Sequence, residues 1–146
     1  MTKVSPSEAS PALRAEAFDY VRKAHQNETA EDYVEMIAEL IAEQGEARVV
    51  DLAERFGVSH ATVNKIIIRL NREGYVTNRP YRSLFLTEQG EELARTCKER
   101  HDLVYRFLRS IGVDDRTAQL DAEGVEHHVS PKTLAAFQKF LKKSGL

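Results

Sequence analysis

The sequence predicts a mainly α protein in which a small helical module closed by a hairpin precedes an all-helical C-terminal part. Apolar residues recur at helical spacing through most of the 146 residues. Strand-like patterning is confined to Tyr75-Val76-Thr77 and Ser83-Leu84-Phe85-Leu86. Ser, Thr or Asp stands where helices would start, and Gly where several would stop.

Residues 1–11 are rich in Ser and Pro and offer little to bury, so they read as a disordered arm. From Ala12 to Asn27, Leu13, Ala17, Phe18 and Val21 fall along one side of a helix. From Asp32 to Gln44, Val34, Ile37, Ala38 and Ile41 repeat at helical spacing, with Met36 and Leu40 widening the face, and Gly45 is the stop. A short helix follows over Val49–Phe56, and Ser59 caps another reaching about Glu73. The two strand-like runs are joined by a basic turn holding Arg79, Pro80, Tyr81 and Arg82. Thr87 caps a long helix to about Arg109, with Leu93, Cys97, His101, Val104 and Leu108 near one face. Asp114 opens the next helix, and Ser130-Pro131 starts the last, with Leu134, Phe137, Phe140 and Leu141 as its apolar stripe.

The order helix, helix, turn, helix, hairpin over residues 37–86 is a winged helix-turn-helix pattern. Ala53, Gly57, Val58, Val63, Ile66 and Leu70 put small and apolar residues where two crossed helices must meet. Residues 46–87 hold seven Lys/Arg and four Asp/Glu, whereas the whole chain carries a net charge of −2. A basic patch in an acidic chain points to an anionic partner, although charge runs alone are usually solvated surface. The pattern makes Ser59–Asn71 the recognition helix. Ser59, His60, Thr62 and Asn64 are candidates for base edges or nearby phosphates, and Lys65 and Arg69 for backbone phosphates. Arg79 and Arg82 sit on the expected wing.

A second constellation is acidic and imidazole-bearing. Asp32 and Glu35 are three apart on a helix, so they share a face. Glu123, Glu126 and His127 share another if their segment is helical, and His101 lies mid-helix. Four carboxylates and two imidazoles make an oxygen-rich, sulfur-free set suited to manganese or iron(II), and zinc fits part of it. Without a cation the acids would repel one another. The bland readings are a satisfied core histidine at His101 and helix-start electrostatics at Asp32 and Glu35. His128 stays outside the set.

Taken together, these residues resemble the manganese transport regulators, the manganese branch of the diphtheria-toxin-repressor family. The resemblance runs over about residues 30–143. It includes Glu31-Asp32-Tyr33-Val34-Glu35, Gly45-Glu46-Ala47-Arg48-Val49, Arg82 with Leu84-Phe85-Leu86-Thr87, and Arg100-His101. It continues through Phe107-Leu108, Ile111-Gly112-Val113 and Asp121-Ala122-Glu123-Gly124-Val125-Glu126-His127-His128-Val129-Ser130. It implies a winged helix-turn-helix DNA-binding domain over 30–88 and an all-helical metal-binding and dimerisation domain over 89–146. Residues 1–29 are an extension, partly disordered or helical, with no assigned role.

The resemblance also implies the site. Asp32, Glu35, His101, Glu123, Glu126 and His127 match the ligands of two manganese ions. The iron-sensing branch is expected to carry Met in place of Asp32 and Cys in place of Glu123, and hard oxygen in both places favours manganese by ligand type. Leu103, Phe107, Leu134, Phe137 and Phe140 are candidates for a homodimer interface. Ending at Leu146, the chain is expected to lack the further domain of many iron-branch members.

The expected function is a cytoplasmic repressor, associated with the nucleoid when bound to DNA. It would bind a palindromic operator when Mn(II) is bound and shut off manganese uptake genes. No membrane partner or small organic ligand is expected: no apolar run approaches a span, and the single Cys97 excludes an internal disulfide framework. The alternatives are a repressor responsive to iron(II) or to divalent metals broadly, a metal-independent winged-helix dimer, and a metal-dependent hydrolase. The last lacks any nucleophile motif, and an inverted zinc-protease pattern would need His at Glu123.

Overall fold

A computed structural model describes residues 10–78 and 83–145. Its elements are α1 (Pro11–Gln44), β1 (Ala47–Arg48), α2 (Val49–Phe56), α3 (His60–Arg72), β2 (Val76–Asn78), β3 (Ser83–Leu86), α4 (Glu88–Ser110), α5 (Asp115–Val125) and α6 (Pro131–Lys143). Most of the expected arm, and the wing turn with Arg79, Pro80, Tyr81 and Arg82, lie outside the described residues.

The expected helix starts are built as local chemistry dictates. The hydroxyls of Ser59, Thr87 and Ser130 accept from the amides of Thr62, Gly90 and Thr133, and the Asp114 carboxylate accepts from Thr117. Each bond satisfies one of the amides that a helix leaves unpaired in its first turn. Thr87 also donates to the Gly74 carbonyl at 2.6 Å, which ties the start of α4 to the turn after α3. Gly45 and Gly57 end their helices at φ +83° and +65°, a region where a Cβ would be strained.

One boundary differs from the sequence expectation. The segments 12–27 and 32–44 are a single helix of 34 residues. Nothing between them carries a stop signal, since residues 28–31 contain neither Gly nor Pro. The two halves are packed differently. Ala30, Glu31, Tyr33, Val34, Ile37 and Leu40 are buried, whereas Leu13, Phe18 and Val21 are 54%, 60% and 43% exposed. The apolar side expected for the first half is therefore largely exposed among the described residues.

The DNA-domain core gathers Ile37, Leu40, Leu52, Val63, Ile67, Leu70, Val76 and Leu84. On α3 the buried stripe is Val63, Ile67 and Leu70, while Ile66 packs at its edge and Val58 is exposed. The small antiparallel sheet has the order β1-β3-β2, with Ala47 opposite Leu84 and Val76 opposite Leu86. The short strand β1 was not expected from the sequence, because two residues carry no readable period.

The second half packs α5 and α6 against α4 and sets α4 along α1. Ala94, Cys97 and Val104 of α4 are buried, as are Ala118 and Ala122 of α5 and Leu141 of α6. Phe107 stacks on Phe137 with ring centroids 3.9 Å apart and meets Phe140 edge-on at 5.6 Å. Leu103, Phe107, Leu134 and Phe137 are half-buried and Phe140 is exposed, so the five interface candidates remain partly accessible. Among the described residues, no helix is long and apolar enough to cross a membrane.

Candidate metal centre

The packing of α1 along α4, with the end of α5 beside both, brings all six predicted ligands into one cluster. Asp32 and Glu35 come from α1, His101 from α4 and Glu123 from α5. Glu126 and His127 occupy the turn that follows. There the helix continues through the bond from the Glu126 amide to the Ala122 carbonyl, then tightens as the His127 and His128 amides reach the carbonyls of Gly124 and Val125. This tightening turns Glu126 and His127 inward, where the Glu126 and His127 side chains are 0% and 1% exposed.

The distances link the set. His127 Nε2 stands 3.0 Å from Asp32 Oδ1 and 3.5 Å from Glu126 Oε1. His101 Nδ1 is 3.3 Å from Glu123 Oε1. Donor atoms of His101, Glu123 and Glu126 lie within 4.8 Å of one another, as do those of Glu35, Cys97 and Glu126. Glu35, His101 and Glu123 line one cleft, and Asp32, Glu35 and Glu123 line another beside it.

The polar atoms in this cluster are largely unsatisfied. Glu35 Oε1, His101 Nδ1, both carboxylate oxygens of Glu126 and His127 Nε2 are buried without a hydrogen-bond partner. His127 Nε2 and His101 Nδ1 are close enough to their neighbouring carboxylates to feel the charge, but not aligned to bond with them. Buried groups are normally paired, so a convergent set of orphaned donors fits a cation. The set offers carboxylate oxygen and imidazole nitrogen, which suits divalent manganese, iron or zinc.

Protonation follows from the same crowding. Burial, followed by the charge of Glu35, pushes Glu126 up to about 8. Burial likewise raises Glu35, reinforced by Glu123 and Asp32. Burial alone would lower His127, but contacts to Asp32 and Glu31 and the charge of Glu126 outweigh it and raise it to about 10. Cys97 is pushed upward, chiefly by burial and then by Glu31, so it is held as a neutral thiol.

Two residues that sequence reasoning did not single out as functional organise the site. Glu31 Oε2 accepts from His127 Nδ1 at 2.6 Å and from Arg100 at 2.5 Å. The first bond commits Nδ1 and aims Nε2 at the cluster, as second-sphere carboxylates do for metal-ligating histidines. Arg100 Nε also stands 3.5 Å from Glu126 Oε2 and offsets part of the acid charge. The available signal was an acid next to Asp32 and a base next to His101, which local spacing cannot pair across 69 residues.

On the expected DNA face, His60, Thr62, Asn64 and Lys65 are exposed on α3. Ser59 and Thr62 are engaged with each other at the cap, 3.0 Å apart. Arg69 is half-buried and tied back to the protein, by Glu73 at 2.9 Å and by the Gln26 carbonyl of α1 at 3.1 Å. Phosphate contact by Arg69 would require releasing those bonds. The wing arginines are outside the described residues.

A winged helix-turn-helix joined to a helical unit, with an acidic-imidazole cluster at the junction, defines the class of metal-binding DNA-binding regulators. Residues 25–84 match the family described as the iron dependent repressor, N-terminal DNA binding domain. Residues 87–144 match the iron dependent repressor, metal binding and dimerisation domain. The chain therefore belongs to the iron-dependent repressor family. It is 50% identical over 130 residues to the transcriptional regulator MntR of Salmonella typhi, covering 89% of this chain and 83% of that protein. It is 43% identical over 100 residues to the HTH-type transcriptional regulator MntR of Bacillus subtilis, covering 68% and 70%. A solved manganese-dependent transcriptional repressor in complex with manganese superposes with a TM-score of 0.67 at 30% identity, covering 77% of this chain. This chain spans only 52% of that longer one. The relatives are named as transcriptional regulators, which sets the hydrolase alternative aside.

Proposed function

We infer that this chain is a manganese-responsive repressor that binds a palindromic operator as a homodimer and shuts off manganese uptake genes. The observation that carries this reading is the set of buried, unpaired atoms of Glu35, His101, Glu126 and His127 at the junction of the two domains. Asp32 and Glu35 belong to the first helix of the DNA-binding domain, and the other four ligands belong to the metal-binding and dimerisation domain. Two Mn(II) ions per subunit would supply the positive charge that lets four carboxylates and two neutral imidazoles converge. Asp32 and Glu123 provide hard oxygen, which favours manganese by ligand type.

Gathering the six residues holds α1 against α4 and α5. In a dimer built on Leu103, Phe107, Leu134, Phe137 and Phe140, that restraint sets the separation of the two α3 helices. His60, Thr62, Asn64 and Lys65 then face the DNA, with Arg79 and Arg82 contributing from the wing. The effect requires that metal bind the DNA-competent arrangement more tightly than the others. The likeness to a solved manganese-dependent transcriptional repressor in complex with manganese supports manganese as effector.

A broader divalent response is the second reading. It draws on Cys97, whose sulfur lies within 4.8 Å of donor atoms of Glu35 and Glu126. The raised Cys97 thiol argues against it as a ready ligand. Operator binding by fluorescence anisotropy against free Mn(II), Fe(II) and Zn(II), run without oxygen on the native chain and on Glu123→Cys, separates the two. The manganese reading expects Mn(II) to tighten operator binding in the native chain and Glu123→Cys to shift preference toward Fe(II) or Zn(II). Operator affinity indifferent to every metal would sink both readings.

A further inference from the structure

We propose that His25, Glu28 and His128 form an additional divalent-metal site, distinct in its ligands from the six-residue cluster and selective for a borderline-soft ion such as Zn(II). The proposal goes beyond the manganese-repressor reading and does not depend on it. His25 and Glu28 are one turn apart on α1, while His128 arrives from the turn after α5. Donor atoms of the three lie within 4.8 Å of one another. Both imidazoles converge on the same carboxylate oxygen: Glu28 Oε2 is 3.2 Å from His25 Nδ1 and 3.6 Å from His128 Nε2. The two rings meet nearly edge-on, at 4.9 Å and 73°.

The two nitrogen–oxygen separations fit a coordination shell. Ligands bound at about 2.0–2.1 Å around a tetrahedral ion stand roughly 3.4 Å apart, and the two nitrogen–oxygen separations, 3.2 and 3.6 Å, bracket that value. A simple ion pair accounts for His25 with Glu28, which form a hydrogen bond. The second imidazole reaches the same oxygen at ion-pair distance, beyond hydrogen-bonding range, so two imidazoles share one carboxylate oxygen without both bonding to it.

The donor set also sorts the metal. Two imidazoles and one carboxylate are richer in nitrogen than the neighbouring cluster, which shifts preference away from manganese and toward zinc. Three protein ligands leave a position for water or for a further donor. Glu28 lies between the two sites, since its donor atom also falls within 4.8 Å of those of Asp32 and His127. A filled site would pin α1 at residues 25–28 to the α5–α6 turn, next to the point where the Gln26 carbonyl receives Arg69 of the recognition helix.

The test is a zinc titration of the metal-free full chain against a chromophoric chelator. It compares the native protein, His25→Ala, His128→Ala and Glu35→Gln/Glu126→Gln, with circular dichroism to check folding. His25 is exposed and outside the cluster, so His25→Ala is expected to stay folded and to keep its manganese response. The native chain should bind about one zinc per subunit more than His25→Ala or His128→Ala. The double variant should retain that zinc and lose it when His25→Ala is added. Unchanged zinc stoichiometry in both histidine variants overturns the proposal. So does loss of all zinc from the folded double variant, because Glu28 would then serve the main cluster only. A chain whose operator binding ignores manganese would defeat the repressor reading and leave this titration unaffected.

Discussion

Manganese binding should expel protons in a number set by the crowding of the cluster. In the metal-free chain Glu126 sits at about 8 and His127 at about 10. Near neutral pH both therefore carry a proton that a metal must displace. The expected release is about two protons per subunit around pH 7, so apparent affinity should rise roughly 100-fold from about pH 6.5 to 7.5. Above about pH 8.5 the release should fall toward one proton, from His127 alone. With ordinary values of 4.5 and 6.5, release at neutral pH would be well under one proton. Calorimetry of manganese binding in two buffers of different ionisation enthalpy, at one pH, counts the protons directly. A count below about one half near pH 7 would refute the argument that burial and mutual repulsion protonate this site. The sign for stability agrees. Both groups have pKa values raised by folding, so the metal-free fold binds more protons than the unfolded chain. Glu126 loses stability as pH rises from 4.5 through 8, and His127 as it rises from 6.5 through 10. Metal-free melting temperature should thus drop toward alkaline pH, and manganese should reverse the drop.

Glu31→Gln should weaken manganese binding about 10- to 100-fold, because Nδ1 of His127 loses its charged acceptor; calorimetry returning the native affinity would remove Glu31 from the site. Phe140→Asp places a charge on the exposed edge of the Phe107–Phe137 stack. Sedimentation should show a dimer shifted toward monomer, while a dimer as tight as the native one would mean that this face is not the interface. Gly90→Ala would drive a Cβ into the Tyr75 carbonyl at the start of α4, costing about 2–3 kcal/mol, and an unchanged thermal midpoint would contradict that packing. Lys65→Ala should lower the slope of log affinity for operator against log salt by about one, with no change expected if Lys65 only solubilises α3.

Helix starts were the most legible part of the fold. Ser59, Thr87, Asp114 and Ser130 each accept from an amide three residues on, a bond set by local backbone geometry and independent of everything distant. The α3 face expected from Val63, Ile66 and Leu70 packs against the core, with Ile67 more deeply buried than Ile66. Periodicity defines a face about as wide as a side chain, and the partner across the interface selects its centre. The sequence suggests two helices where α1 is unbroken, because a drop in apolar content resembles a boundary even where no stop signal stands. The six expected ligands were legible as residue types on shared faces, and the fold brings them together.

Residue order and local spacing are enough to assign which groups stand on which helices, the oxygen-rich character of the six-residue set and the winged-helix order, because these rest on contacts near in the chain. That Glu31 and Arg100 reach His127 and Glu126, and that His25 and Glu28 meet His128, follows from how the helices pack. Those meetings join residues well beyond a single helix turn, 69 positions apart for Glu31 and Arg100 and 96 for Glu31 and His127, and no local rule ranks one such pairing above another. Burial did the rest. It left Glu35 Oε1, His101 Nδ1, both carboxylate oxygens of Glu126 and His127 Nε2 without hydrogen-bond partners, an arrangement that fits a cation.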